Sequence, residues 1–319
     1  MTHVLLSQTR SFLTYTGIET YLLFSKGIDL PGFACFPLLE TEDGKRVLRQ
    51  IYSRQLLISS SLGLGAILEA PTWAAHRGRG GPLGYSPQQL HSLNIEGVAL
   101  IEEIRDAYLV ENNNDRWNVP CLLSANVGPF GDAYAPGNQL SEAEADEFHA
   151  EQMVAFSQTN ADLVTAYTLT YPAEATGIVR AAQALDIPVV ISFTVDTNGH
   201  LPSGVSLYDA VAEVDEKTGS YASYFMVNCA HPDHFGDVLR DLPCPRRLKG
   251  IVANASRCSH AELDNAEVLD SGDPNELAQQ LSAFKLANDS ITVLGGCCGT
   301  DMSHLIDIGM RMRSIDQSR

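Results

Sequence analysis

The sequence lacks a long apolar run, a basic leader segment and an excess of positive charge. No apolar stretch approaches the ~18 residues that a membrane-spanning helix needs. Residues 1–7 do not combine a basic segment with a long apolar one, so we predict neither a signal peptide nor a membrane partner. The 21 basic and 39 acidic residues give a formal net charge of −18. Because nonspecific nucleic-acid binding requires basic residues that neutralise phosphates, this balance argues against a nucleic-acid partner.

Cysteine is also scarce, with seven in 319 residues. An odd number of cysteines, spread thinly along a long chain, disfavours a secreted disulfide framework. We therefore expect a cytoplasmic location, where thiols stay reduced and are free to bind metal. Hydrophobic residues make up 45% of the chain, which is ample for a large core. No low-complexity linker interrupts the sequence, and we expect one domain over residues 1–319.

Short apolar runs alternate eight times with longer amphipathic segments. The runs predict strands at 13–17, 66–70, 119–127, 163–168, 188–195, 224–228, 250–254 and 291–294. The segments between and after them predict helices at 38–62, 88–110, 141–159, 172–185, 207–216, 233–239, 274–287 and 302–310. Eight strand–helix units are typical of an α/β fold of the (β/α)₈ TIM barrel class. An open doubly wound sheet is the alternative, but Gly63-Leu64-Gly65 precedes a strand instead of following one.

Residues 73–84 form an insertion longer than a minimal barrel requires. The segment is rich in glycine and carries two basic residues, Arg77 and Arg79. Two interpretations remain open: a lid over the active face, or a mobile loop without a functional role.

Two adjacent cysteines lie between glycines in the stretch Gly295-Gly296-Cys297-Cys298-Gly299-Thr300. A bent glycine-rich loop can bring both sulfurs to one point. On its own, this pair has three interpretations: half of a zinc site, two buried packing thiols, or a strained vicinal disulfide.

A third cysteine, Cys229, follows the sixth predicted strand, whereas Cys297 and Cys298 follow the eighth. Functional groups of a barrel lie at the carboxyl ends of its strands, so these loops are expected to converge. Three thiolates and one open position describe a catalytic zinc site, and thiolates favour Zn²⁺ over magnesium or calcium. The remaining cysteines, Cys35, Cys121, Cys244 and Cys258, are interpreted as packing or surface thiols. His231 and His234 are rival ligands, although His231 before a proline is better explained as a loop residue that caps backbone groups.

Asn228-Cys229 together with the Gly-Gly-Cys-Cys-Gly stretch at 295–299 resembles the homocysteine S-methyltransferase family. Weaker matches at Pro71-Thr72-Trp73 and Val127-Gly128-Pro129 follow the family order, and the resemblance extends from residue 13 to 310. It implies a (β/α)₈ barrel with zinc held by Cys229, Cys297 and Cys298, and methyl transfer to the thiol of homocysteine to give methionine. The barrel fills the chain, which disfavours a cobalamin-dependent route and favours a sulfonium donor such as S-methylmethionine, or a betaine.

The resemblance also implies where the substrates bind. Glu174 matches the family glutamate that accepts the substrate ammonium, although a carboxylate near a helix N-terminus is favourable by itself. Tyr15 stands where the family has an aspartate; its hydroxyl can form a hydrogen bond but brings no charge, which Glu19 is a candidate to supply. Trp73 is a candidate for a cation–π contact with the donor, with core packing as the alternative.

Two other functions remain open at this point. The tyrosine at position 15 is compatible with another small thiol or a selenol as the acceptor. A zinc-binding barrel without catalytic activity is the alternative from outside the enzymes. The pattern makes no prediction about the oligomeric state.

Overall fold

Eight parallel strands form a closed barrel in which each strand pairs with its neighbours in sequence order. The computed structural model describes residues 11–112, 120–134, 137–241, 246–264 and 266–318. The strands are β1 (Phe12–Tyr15), β2 (Gly65–Glu69), β3 (Cys121–Val127), β4 (Leu163–Leu169), β5 (Val189–Phe193), β6 (Tyr224–Asn228), β7 (Leu248–Ala253) and β8 (Val293–Gly296). β1 pairs with β8, which closes the barrel and confirms the predicted fold class.

One long helix follows each strand along the chain. These helices are α1 (Glu42–Leu62), α2 (Pro87–Glu111), α3 (Glu142–Phe156), α4 (Pro172–Gln183), α5 (Leu207–Thr218), α6 (Pro232–Asp241), α7 (Pro274–Ala287) and α8 (Met302–Gln317). Two predicted starts are confirmed in detail. Ser141 and Glu144 form a reciprocal capping box before α3, and the Asp273 carboxylate accepts hydrogen bonds from two backbone amides at the start of α7.

Several predicted boundaries are wrong, including the following three. Residues 38–41 do not belong to α1: Phe36–Glu40 forms a separate 3₁₀ turn, and the Thr41 hydroxyl caps the helix by accepting from the Gly44 amide at 3.1 Å. α8 continues to Gln317 instead of ending at Met310. Gly295 and Gly296 belong to β8 and not to a loop, because glycine allows close pairing with β1. The predicted start of β3 at residue 119 lies outside the described residues.

The core has two layers. Small and large apolar side chains between the barrel and the helices form the outer layer, and the barrel interior is a separate cluster. That interior cluster includes Phe12, Ile67 and Tyr167, and at its upper end Cys229 and Cys297. The interior of the barrel therefore leads directly to the predicted metal ligands.

None of the described helices combines the length and apolarity that crossing a bilayer requires. The single domain over residues 1–319 and the cytoplasmic location stay predictions.

Candidate metal and substrate site

Three thiols converge at the carboxyl end of the barrel. The sulfur atoms of Cys229, Cys297 and Cys298 all lie within 4.8 Å of one another, and those of Cys229 and Cys298 are 3.5 Å apart. Cys229 and Cys297 are buried, whereas Cys298 is half-buried. Three sulfurs around one tetrahedral ion, each at about 2.3 Å, lie roughly 4 Å apart. The spacing and the soft donor set fit a thiolate-bound metal.

Cys229 adopts a left-handed backbone conformation, with φ of +57°. Such a conformation costs a residue other than glycine of order 1–3 kcal/mol and persists only where its surroundings impose it. The Cys229 carbonyl accepts hydrogen bonds from Asn254 Nδ2 at 3.0 Å and from His260 Nε2 at 2.8 Å. The Cys229 amide donates to the Val252 carbonyl at 3.1 Å. These bonds hold the sulfur in its position above the barrel.

The cysteine pair is fixed by the same segment. The Cys297 amide donates to the Ala253 carbonyl at 2.8 Å, and the Ala255 amide donates to the Cys298 carbonyl at 3.0 Å. Gly299 then turns the chain with φ of +80°, a conformation that glycine adopts without strain. The end of β7 and the two residues after it, 252–255, thus hold both thiol-bearing loops, although they contribute no sulfur.

The three thiols share protons unequally. The thiols of Cys229 and Cys298 act as donors toward Cys297, which lowers the pKa of Cys297 well below its ordinary value. The hydrogen bond with Cys297 raises the pKa of Cys229, and hydrogen bonds with Cys229 and then Cys297 raise the pKa of Cys298. The metal-free site therefore favours one thiolate, and metal binding would release the protons of the other two.

Tyr134 is a site residue that sequence reasoning missed. Its hydroxyl lies 3.0 Å from Cys229 Sγ and 4.0 Å from Cys298 Sγ. Its ring stacks on the His260 imidazole, with centroids 4.0 Å apart. Burial, followed by the neighbouring cysteines, raises the pKa of Tyr134, so the hydroxyl keeps its proton and can donate to a thiolate. Tyr134 follows β3 in a loop without a motif, and no local pattern marks it.

A cavity of about 440 Å³ opens above the thiols. Four of the described residues that border it carry carboxyl groups, and one, Arg79, is basic. The carboxyl residues are Glu19, Glu69, Asp132 and Asp270. An excess of acidic groups in a partly enclosed cavity favours ligands that carry positive charge.

Trp73 borders this cavity and is partly buried. The guanidinium of Arg79 lies 4.5 Å from the centre of a Trp73 ring, and Arg79 Nη2 donates to the Gly131 carbonyl at 3.0 Å. The insertion at 73–84 thus packs against the loop after β3 and forms part of the cavity wall. A cation–π contact of Trp73 is made within the chain, and a contact of Trp73 with the donor stays a prediction.

Tyr15 is fully buried and also borders the cavity. Its hydroxyl lies 2.9 Å from the Thr300 carbonyl and 3.2 Å from the Gly17 carbonyl, both of which can only accept. The single hydroxyl proton is therefore directed at the backbone. Any contact of Tyr15 with a substrate ammonium would use the lone pairs of the hydroxyl oxygen, and this role stays a prediction.

Glu174 lies in the first turn of α4, and its carboxylate contacts the loop after β3. It is fully buried and is not among the described residues that border the cavity. Its Oε1 accepts a hydrogen bond from the Phe130 amide at 2.6 Å and lies 3.0 Å from His149 Nε2. These contacts hold the loop after β3, which also carries Tyr134. The assignment of Glu174 to the substrate ammonium stays a prediction that these contacts do not favour.

Glu19 does border the cavity, together with Cys35, whose thiol is hydrogen-bonded to it. Burial raises the pKa of Glu19 to about 7. Cys35 is thus buried, as expected of a packing thiol, but one side of it faces the cavity. Cys121 and Cys258 are half-buried outside the thiol cluster, and Cys244 lies outside the described residues.

The two candidate histidines do not join the thiols. His231 Nδ1 accepts a hydrogen bond from the Asp233 amide at 3.2 Å, which confirms its predicted role as a capping residue. His234 Nε2 donates to the Arg257 carbonyl at 2.9 Å.

Comparison with known proteins identifies relatives of this chain. A family model described as Homocysteine S-methyltransferase matches residues 29–312. Homocysteine S-methyltransferase YbgG of Bacillus subtilis (strain 168) is 25% identical over 240 residues, which cover 73% of this chain and 74% of that protein. Homocysteine S-methyltransferase 3 of Arabidopsis thaliana is 23% identical over 237 residues, which cover 68% and 67% of the two chains.

The fold is similar to that of the homocysteine methyltransferase MmuM from Escherichia coli. Its metallated form superposes with a TM-score of 0.75 at 20% identity, covering 96% of this chain and 97% of that chain. Its oxidized form gives a TM-score of 0.76 at 21% identity, with coverages of 97% and 98%. The family model spans most of the barrel and includes all three clustered cysteines, Cys229, Cys297 and Cys298. The chain therefore belongs to the homocysteine S-methyltransferase family and is a methyltransferase.

Proposed function

We propose that this chain is a zinc-dependent S-methyltransferase that transfers a methyl group from a sulfonium or betaine-type donor to the thiol of homocysteine, giving methionine. The observation that carries the proposal is the cluster of three thiols within 4.8 Å of one another at the base of an acidic cavity. Cys229, Cys297 and Cys298 would hold the metal and leave one coordination position facing the cavity. Family membership favours catalysis over a binding role alone.

Bound zinc would lower the pKa of an acceptor thiol and keep it as a nucleophilic thiolate at neutral pH. The residues of the chain position the reactants. Tyr134 Oη, 3.0 Å from Cys229 Sγ, can donate to that sulfur and moderate the negative charge of the site. The acidic cavity wall favours a donor whose methyl group is attached to a positively charged sulfur or nitrogen. Holding both reactants in line would supply much of the rate acceleration.

A specific observation, at Tyr15, favours a second candidate for the thiol acceptor. Tyr15, which directs its hydroxyl proton at the backbone, replaces a charged residue of the family at the end of β1. A small thiol or selenol other than homocysteine is therefore the second candidate acceptor. Profiling several thiols with one sulfonium donor separates the two, because exclusive use of homocysteine would exclude the second candidate.

Metal analysis of the wild type beside Cys297→Ser tests the metal assignment. We expect about one zinc ion per chain in the wild type and a loss of most of it in the variant, because a structural or catalytic zinc site needs its thiolates. Methionine formation from homocysteine with S-methylmethionine or with glycine betaine is measured on the same preparations, and Cys297→Ser is expected to be inactive.

Cys258→Ser is the matched control, because Cys258 is half-buried and lies outside the thiol cluster. It should keep both zinc and activity. Full zinc retention in Cys297→Ser would contradict the ligand assignment. A zinc-loaded wild type that methylates no thiol with either donor would contradict the proposed reaction.

A further inference from the structure

Glu69 is a buried carboxylate at the end of β2 that the metal chemistry does not use. Its side chain is 2% exposed and borders the cavity above the thiols. Oε1 accepts hydrogen bonds from the Tyr167 hydroxyl at 2.7 Å and from the Thr14 hydroxyl at 2.9 Å. These donors come from β4 and β1, so the carboxylate is held from both sides across the barrel interior.

The second oxygen of this carboxylate lacks a hydrogen-bond partner in the part of the chain that the structure describes. Oε2 is buried and makes no hydrogen bond to any described residue. The Ser124 hydroxyl lies near enough to lower the pKa of Glu69, but its hydrogen bond, 2.8 Å long, is with Thr165 Oγ1. Buried polar atoms of proteins nearly always have a partner, so an orphaned carboxylate oxygen at a cavity needs an explanation.

No positive charge of the described residues compensates Glu69. Burial raises the pKa of Glu69 to about 7, although the hydroxyls of Ser124, Tyr167 and Thr14 each act to lower it. The titratable side chains that sense Glu69 are tyrosines: Tyr52, Tyr167 and Tyr224. Burial raises the pKa of each of them, so all three are neutral near pH 7. A cationic ligand would satisfy the charge and the unpaired oxygen together.

The strand register places Glu69 within reach of a ligand on the metal. Thr14, which donates to Glu69, pairs across the strands with Gly295, two residues before Cys297. β2 and β8 are separated only by β1, so the two strand ends are about 10 Å apart at the usual strand spacing. In homocysteine, four covalent bonds separate the sulfur from the amino nitrogen. A homocysteine molecule whose thiolate binds the metal and whose ammonium binds Glu69 would bridge a distance of this order.

We propose that Glu69 binds the ammonium group of the thiol acceptor and thereby selects an amino-acid thiol. This inference rests on the proposed function and adds a residue that neither the family motifs nor the cysteine pattern indicates. Glu69 takes the role that the sequence suggests for Glu174, which lies behind the loop after β3 and already accepts from Phe130. Glu174 also has a buried oxygen without a partner, Oε2, but only Glu69 of the two borders the cavity. The Glu19 carboxylate borders the cavity as well, but it is engaged by the Cys35 thiol.

Calorimetric titration of the zinc-loaded protein tests the proposal without turnover. The ligands are homocysteine and 4-mercaptobutanoate, which differ only in the amino group, and S-methylmethionine is titrated separately as the donor. We expect the wild type to bind homocysteine about ten- to a hundredfold more tightly than 4-mercaptobutanoate, because a buried charged hydrogen bond is at stake. Glu69→Gln should lose most of this preference while its affinity for 4-mercaptobutanoate stays unchanged.

Several results would overturn the proposal. One is the absence of any preference for homocysteine in the wild type. This measurement does not depend on whether a variant folds. Another is an unchanged preference in Glu69→Gln, or a preference lost in Glu174→Gln but kept in Glu69→Gln. A third is a Glu69→Gln protein that binds S-methylmethionine more weakly but homocysteine normally, since the cationic group would then belong to the donor.

Controls separate this proposal from the proposed function. Glu216→Gln, on the exposed surface of α5, removes the same charge far from the cavity and should leave every affinity unchanged. Zinc content and thermal unfolding show whether Glu69→Gln is folded. If Glu69→Gln loses the preference for homocysteine that the wild type shows, but no methionine forms with any donor, the Glu69 subsite stands and the proposed reaction fails. If methionine forms while Glu69→Gln keeps the full preference, only the Glu69 proposal fails.

Discussion

At the scale of single residues, this site depends on groups that are held in costly states. Cys229 adopts a left-handed conformation, and Glu69 is a carboxylate without a counter-charge. Each is maintained by neighbours: Asn254 and His260 hold the Cys229 carbonyl, and two hydroxyls hold Glu69. Strain of this kind is typical of functional sites, where a reacting group must be held before its ligand arrives.

Glu69 makes the stability of the protein depend on pH. Burial raises its pKa from 4.5 to about 7, so the folded chain retains a proton that the unfolded chain releases over this interval. Its contribution to stability is therefore complete below pH 4.5 and is lost as the pH rises through 7. Glu69→Gln removes the titration. The difference in free energy of unfolding between Glu69→Gln and the wild type should therefore shift in favour of the variant as the pH rises from 4.5 to 8, by at most about 3 kcal/mol.

Urea unfolding of both zinc-loaded proteins across this pH range measures the effect. The metal and thiol contributions are common to both proteins and cancel in the difference. Parallel pH profiles would contradict the expected titration of Glu69.

At the scale of elements, the closure of β8 on β1 determines where the cysteine pair lies. A Cβ atom at Gly295 would be 2.2 Å from the Thr14 carbonyl oxygen, which is a backbone atom that cannot move aside. We expect Gly295→Ala to destabilise the protein by about 1–3 kcal/mol and to reduce zinc binding, because Cys297 follows two residues later. The urea midpoint and the zinc content measure both effects.

Gly131→Ala is the matched control for this substitution. A Cβ atom at Gly131 meets nothing within 4 Å, and its φ does not require glycine. It should keep its zinc and its stability. Equal behaviour of the two alanine variants would show that the close pairing of β8 and β1 does not control the site.

Much of this architecture could be predicted from the sequence because local patterns carry it. The eight apolar runs and the capping residues Ser141 and Asp273 are local, and so is the position of each cysteine after its strand. Tyr134 and Glu69 could not be found in this way, because each acts on a residue far along the chain: Tyr134 on Cys229, and Glu69 on Tyr167. The motif match at Glu174 predicts a substrate contact, but it carries no information on which way the side chain faces. Its carboxylate accepts from the Phe130 amide, and the substrate contact stays a prediction.

At the scale of the whole molecule, the net charge of −18 surrounds a cavity whose own lining is acidic. A field of one sign raises the local concentration of oppositely charged ligands, and salt screens it. If the proposed function is correct, kcat/KM for S-methylmethionine, which carries a net positive charge, should fall a few-fold between about 10 mM and 150 mM salt.

Glycine betaine, which has no net charge, is the control donor for this measurement. Its kcat/KM should change little over the same range. An equal decrease for both donors would point to a general effect of salt on the enzyme and against electrostatic steering.

The end of β7 has a consequence for genetics. Residues 252–255 carry no thiol, yet their backbone amides and carbonyls hold the loops of Cys229, Cys297 and Cys298. A saturation screen for loss of methylation would therefore recover substitutions at Ala253 and Ala255, two small residues without reactive groups. A ranking of positions by the reactivity of their side chains would overlook both alanines. In this barrel, the positions of the three cysteines depend on these two alanines as well as on the cysteines themselves.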